Sequence, residues 1–179
     1  MAADAALAYT RAMSDELIDA LVRWLHVLSA VIFIGPQVFL AAIAMPAVRG
    51  IDDARARQAT VRRITMGFGM LGGIALAVLL ATGIWQYYEF ENLVDRDSFP
   101  RYFFLIQIKL TLVTIVILLT VLHGMVFGRR LQRLQEAGAP ESEIARVRQW
   151  SMITSMLNLL ASIVIVLCAT LMASDWSKL

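Results

Sequence analysis

The chain has 179 residues, 59% of them hydrophobic and 17% charged, with a mean hydropathy of +0.70 and a formal net charge of +2. A soluble domain carries roughly 25% charge, so an ordinary water-soluble enzyme is excluded. The arginines gather at the ends of apolar runs instead of covering one folded face, which argues against nucleic acid as a partner.

Residues 1–20 hold Asp4, Arg11, Asp15, Glu16 and Asp19 among alanines, the wrong composition for a cleaved signal peptide, so insertion is expected to use the first span itself. A helix crossing a bilayer needs about 20 predominantly apolar residues, and four runs meet that length, at about residues 20–48, 64–88, 102–129 and 148–174. In the first run His26, Ser29, Phe33, Gln37 and Leu40 recur at three- and four-residue spacing and mark an inward face. The second run offers Gly69, Gly73, Leu76, Leu80, Gly83 and Tyr87, with Gly69 and Gly73 spaced for close helix packing. The third carries Lys109, Val113, Val116, Thr120 and His123. A polar link from Leu131 to Val147 follows, broken at Gly138-Ala139-Pro140 and restarting a helix at Pro140-Glu141. The fourth run has Ser151, Ser155, Asn158, Ser162, Ile165 and Ala169 on one face. The pattern predicts an all-α integral membrane four-helix bundle, a single transmembrane domain over residues 1–179, without internal repeats.

Basic residues set the orientation. Arg49, Arg55, Arg57, Arg62 and Arg63 follow the first span, and Arg129, Arg130, Arg133, Arg146 and Arg148 follow the third. The opposite ends carry Arg11, Arg23, Arg96, Arg101 and Lys178, diluted by Glu89, Glu91, Asp95 and Asp97. Both termini are therefore expected on the non-cytoplasmic side, in a bacterial inner membrane.

An ionisable group in hydrocarbon costs a few kcal/mol unless it is paired or faces a cavity. His26, Lys109 and His123 are the three such residues within the spans. A neutral imidazole satisfied by a serine or a backbone carbonyl accounts for either histidine structurally, and a lysine near the surface can snorkel. The functional account starts from depth. At about 1.5 Å per residue, His26 and Lys109 fall near the same outer level, whereas His123 lies more than about 20 Å further in. One haem cannot take both histidines within a monomer. The chemistry favours a macrocycle at the outer site: imidazole is an axial haem ligand, Lys109 can ligate or pair with a propionate, and Gly83 leaves room for a flat ring. Metal ligation is thus expected at His26 and, for a second haem, at His123, with Gly73 among the residues at the inner level. The cofactor expected is a haem, one at the outer site and a second allowed at the inner one. Cys168, the single cysteine, supplies no haem-attachment motif.

The stretches Trp24-Leu25-His26-Val27-Leu28-Ser29-Ala30-Val31-Ile32-Phe33-Ile34-Gly35-Pro36 and Phe103-Phe104-Leu105-Ile106-Gln107-Ile108-Lys109-Leu110 resemble the CopD and HemJ-like superfamily of small helical membrane proteins. The resemblance covers roughly spans one to three. It implies that His26 and Lys109 occupy marked positions and that a b-type haem is held by the first-span histidine. It also implies two activities: the protoporphyrinogen IX oxidation of HemJ proteins and the copper uptake associated with CopD. The chain departs from the pattern at Phe33, at Gly35-Pro36 and over Met45-Pro46-Ala47-Val48-Arg49.

The leading functional expectation is a b-type haem protein in electron transfer or an oxidoreductase, serving a redox partner. Copper movement is the alternative, because thioether and imidazole bind Cu(I) and Met45, Met66, Met70, Met125, Met152 and Met156 lie toward the same side as His123. A third class is a subunit of a larger complex, or a homo-oligomer, contacting its neighbours through the membrane.

Overall fold

The computed structural model describes the backbone of residues 2–93 and 100–174, and their side chains apart from those of 2–8, 10–12, 54 and 90–93. Arg11, Glu91, Asp95, Arg96, Asp97 and Lys178 of the orientation count lie outside the side chains so described. The described residues contain helices and short turns, with no strand. In chain order they form α1 (Ala2–Phe39), a π-helical segment (Leu40–Ala44), α2 (Met45–Arg49) and α3 (Ala54–Leu93). Then come α4 (Pro100–Val121), a second π-helical segment (Leu122–Gly128), α5 (Arg129–Glu136) and α6 (Glu141–Met172).

Four stretches are long and apolar enough to cross a membrane: Met13–Arg49, Arg55–Glu89, Pro100–Glu136 and Glu141–Met172. They overrun the apolar runs of the sequence because the helix continues into its charged ends. Within hydrocarbon a helix satisfies every backbone group internally, and nothing obliges it to stop where the arginines begin. The chain is therefore an all-α membrane protein whose helices contact the lipid bilayer.

Packing divides it into two compact units, Met1–Leu93 and Val94–Leu179. Each runs long helix, π segment, short helix, turn, long helix. No repeat of residues is read in the sequence, yet this succession of elements occurs twice.

In the first unit α1 packs along α3. Ser29 and Phe33 of α1 and Ala75 and Thr82 of α3 are buried between them, with Ala44 and Val48 closing the end near the turn. Phe39 and Phe68 add a tilted ring pair at 6.2 Å. The π segment has a local cause. Pro46 has no N–H to return to the carbonyl four residues back, and the ladder instead widens so that the Met45 N–H reaches Leu40 O. The turn is fixed by Asp53, whose Oδ1 accepts the Arg55 N–H at 2.8 Å as an N-cap of α3.

The packing face of α3 corrects one expectation. A Cβ added at Gly69 or Gly73 would meet nothing within 4 Å, whereas one at Gly72 would stand 4.0 Å from the Phe33 ring. The stripe meeting α1 runs through Gly72, Ala75 and Thr82, one step around the helix from the Gly69–Gly73 pair. Both stripes are spaced for close approach, and the bulk of Phe33 selects the one opposite it.

In the second unit α4 packs along α6. Leu105, Ile106 and Val116 of α4 and Ile144, Val147, Thr154, Asn158, Ser162 and Cys168 of α6 are buried. The break after α5 falls where the sequence places it. Gly138, at φ 63°, adopts the left-handed conformation that glycine takes without a Cβ penalty. The Ala139 N–H then returns to Leu134 O at 3.0 Å and the Gly138 N–H to Gln135 O at 3.3 Å, a Schellman closure. Pro140 (φ −55°, ψ 140°) caps the start of α6, as its fixed φ allows. The inward stripe of α6 is Ser151, Asn158 and Ser162 as expected, but Thr154 takes the buried position and Ser155 is exposed.

Candidate functional site

The first unit builds its site from three residues. His26 on α1 is half-buried, and its Nδ1 lies 2.8 Å from Oγ1 of Thr82 on α3. The Thr82 hydroxyl itself stands 2.7 Å from the Val78 carbonyl one turn back, which can only accept. A hydroxyl has one proton. Spent on Val78 O, it leaves Oγ1 as the acceptor toward His26, so the imidazole donates from Nδ1–H and its lone pair resides on Nε2. Gly83 completes the arrangement: a Cβ there would come within 3.3 Å of His26 Cε1 and 3.9 Å of Nδ1. The glycine lets the imidazole lie flat against α3. The sequence assigned that space to a bound ring, and the structure gives it first to the histidine's own ring.

Thr82 is not among the residues of the inward face read in the sequence. A signal was nevertheless present. Reflecting His26 across the turn at residues 51–53 lands about one helical turn short of Thr82, on the same face.

The second unit holds the other two ionisable residues. His123 lies in the π segment, exposed, with Nδ1 3.2 Å from the Ser151 carbonyl and 3.3 Å from Ser151 Oγ. A carbonyl only accepts, so a hydrogen bond to it requires the proton on Nδ1, while Ser151 Oγ can serve either tautomer. Ser151, a member of the polar face read for the fourth run, is the partner. One turn away Thr120 Oγ1 stands 3.5 Å from Asn158 Oδ1, and Ser162 Oγ donates to Asn158 O at 2.8 Å. Lys109 is half-buried on α4, within electrostatic reach of the buried Cys168 of α6. Fourteen residues, about 21 Å of helix, separate it from His123.

Of the sequence-derived residues, then, the first unit brings His26 and Gly83 into contact and leaves Gly73 with open space beside it. Lys109 and His123 occupy opposite ends of α4 in the second unit. Among the described residues no group of three or more His, Cys, Asp or Glu side chains converges. Met66, Met70, Met125, Met152 and Met156 are each more than half exposed.

No curated protein and no solved structure matches the chain. Over residues 18–175, a stretch reaching from α1 past the end of α6, the chain matches the family described as Predicted membrane protein (DUF2214), and it belongs to that family.

Proposed function

We propose that this chain is a b-type haem protein of electron transfer or membrane oxidoreduction, with His26 as the axial ligand. The observation that carries the proposal is the His26–Thr82 contact, in which Nδ1 meets a hydroxyl oxygen that itself stands 2.7 Å from the Val78 carbonyl. A histidine that ligates a metal through one nitrogen characteristically donates its other N–H to a fixed acceptor, which sets the tautomer and the ring orientation. His26 meets that requirement through Thr82 Oγ1 at 2.8 Å, and Gly83 admits the ring. The donor set fits an iron porphyrin better than Cu(I), because a single imidazole suits an axial position and Met66, Met70, Met125, Met152 and Met156 are each more than half exposed. The resemblance of Trp24–Pro36 to the first span of CopD and HemJ-like proteins points the same way.

When bound, haem supplies a one-electron Fe(III)/Fe(II) couple. The protein's part is to hold the imidazole proton on Nδ1, present the Nε2 lone pair and exclude water with the apolar walls of α1 and α3. His123, oriented alike by Ser151, is the candidate for a second haem. The partner is a one-electron donor or acceptor at the membrane surface. The Arg-rich connections support a topology with both termini outside the cytoplasm, in a bacterial inner membrane.

The test is an absorption spectrum of the purified protein, air-oxidised and then dithionite-reduced, with haem quantified as the pyridine haemochrome. Wild type is expected to carry haem and His26→Ala to lose it while remaining inserted. Wild type without haem after expression in haem-replete cells, or unchanged stoichiometry and spectrum in His26→Ala, overturns the proposal.

A further inference from the structure

The turn between α5 and α6 builds a feature unrelated to the histidines. Phe127, Arg130, Glu143, Arg146, Val147 and Trp150 line a groove of about 260 Å³ in the second unit. Ligand pockets for drug-sized molecules span roughly 300–1,000 Å³. This one has the dimensions of a headgroup. Its charged rim is Arg130 and Arg146 against the single carboxylate of Glu143, whose Oε1 stands 3.8 Å from Arg130 Nη2. Arg148 is engaged apart from it by Glu141 at 3.6 Å. The groove is therefore net positive, and its arginines can both turn toward an anion.

Its lower wall is apolar. Glu143, Arg146, Val147 and Trp150 follow one face of α6, and that face continues as Ile153, Leu157, Leu160 and Val164. Leu157, Leu160 and Val164 are exposed along the apolar span, and Trp150, also exposed, sits where charge gives way to hydrocarbon. Tryptophan favours that level of a membrane. A groove with cations above, an indole at the boundary and an open aliphatic track below matches one class of molecule from headgroup to tail.

We propose that this groove binds an anionic phospholipid, the phosphate between Arg130 and Arg146 and the acyl chains along the Leu157–Val164 face of α6. A soluble phosphate would use the arginines but gain nothing from the track. A zwitterionic lipid would use the track but bring its own cation to the rim. Glu143 moderates the site, since its carboxylate competes with phosphate for Arg130.

The probes are phosphatidylglycerol, phosphatidylcholine of the same chains and soluble glycerol 3-phosphate, added to the full-length protein in neutral detergent and followed by native mass spectrometry. Phosphatidylglycerol is expected to be retained in preference to phosphatidylcholine, and glycerol 3-phosphate not at all. At roughly fivefold for each basic side chain near a membrane surface, Arg130→Gln with Arg146→Gln lowers retention of phosphatidylglycerol by roughly 25-fold. Glu143→Gln has the opposite sign and raises it, which keeps the test open even if the double variant misfolds. Arg55→Gln with Arg62→Gln, on the basic stretch of α3, leaves it unchanged. Equal retention of the two lipids overturns the proposal, as does insensitivity to the Arg130 and Arg146 pair. An equal loss in the Arg55 and Arg62 variant would assign the effect to general surface charge, and tight binding of glycerol 3-phosphate would assign it to a soluble anion; either overturns the lipid site.

Discussion

Replacing Thr82 with valine keeps the side-chain shape and removes only the hydroxyl, which makes it the sharpest probe of His26. Thr82 is buried, its Oγ1 lies 2.8 Å from His26 Nδ1 as acceptor, and its hydroxyl donates a hydrogen bond to Val78 O at 2.7 Å. In Thr82→Val the Nδ1–H loses this acceptor in an apolar setting, a cost of about 1–3 kcal/mol. The imidazole lowers that cost by moving its proton to Nε2, and the proton then occupies the position an axial ligand needs. Loss of an outer partner of this kind lowers metal affinity about 10- to 100-fold, which agrees with the hydrogen-bond figure at 1.4 kcal/mol per factor of ten. The assay is haem titration of apoprotein by Soret absorbance, alongside ¹⁵N spectra of labelled imidazole. Wild type and Thr82→Ser are expected to bind alike with Nδ1 protonated, and Thr82→Val to bind weakly with a changed tautomer. A purely structural threonine would lower the stability of the helical pair without separating the serine and valine variants in affinity. Equal affinities of the two variants, or an unprotonated Nδ1 in wild type, would refute the reasoning.

Gly83→Ala places a Cβ 3.3 Å from His26 Cε1 and is expected to displace the ring by a few tenths of an ångström, shifting the Soret band or lowering occupancy; Gly73→Ala, with open space beside it, serves as the silent comparison. Equal effects of the two would remove Gly83 from the site. Ser151→Ala keeps the backbone carbonyl 3.2 Å from His123 Nδ1, so stability is expected to change by less than about 0.5 kcal/mol and any second haem to be retained. A reporter fused at Leu179 is expected to report a non-cytoplasmic end, and cytoplasmic activity there would reverse the assignment made from the arginines.

The four spans were legible because hydrocarbon leaves a chain few choices. Long apolar runs must be helical, and Gly138 and Pro140 mark the break between α5 and α6 with residues of fixed conformational meaning. Charged helix ends were less legible, since no packing signal separates a helical arginine from one in a loop. Facing was read correctly where side chains differ in kind, as for Ser29, Phe33, Asn158 and Ser162. It slipped by one position where two stripes of small residues compete, because Gly69-Gly73 and Gly72-Ala75 are equivalent until Phe33 stands opposite one of them. His26, Gly83 and His123 could be picked out by type alone. The pairing of those histidines with Thr82 and Ser151 was not assigned, because a hydroxyl in a membrane helix can bond its own backbone and residue type does not show which one meets an imidazole.

The two histidines bear on a choice that sequence reasoning frames as an opposition, between a core histidine satisfied by its neighbours and a histidine that ligates. In hydrocarbon the acceptors within reach of an imidazole are the hydroxyls and carbonyls of the adjoining helix, and those acceptors draw the proton to whichever nitrogen faces them. For His26 that nitrogen is Nδ1, held by Thr82; for His123 it is again Nδ1, held by Ser151. Satisfaction at Nδ1 fixes the lone pair at Nε2, so the arrangement that meets the structural requirement is also the one that readies the ring as a ligand. Stability measurements alone therefore cannot separate the two roles, because both predict a loss when the partner is removed. The separation lies at Nε2, in whether iron affinity follows the tautomer that Thr82 enforces.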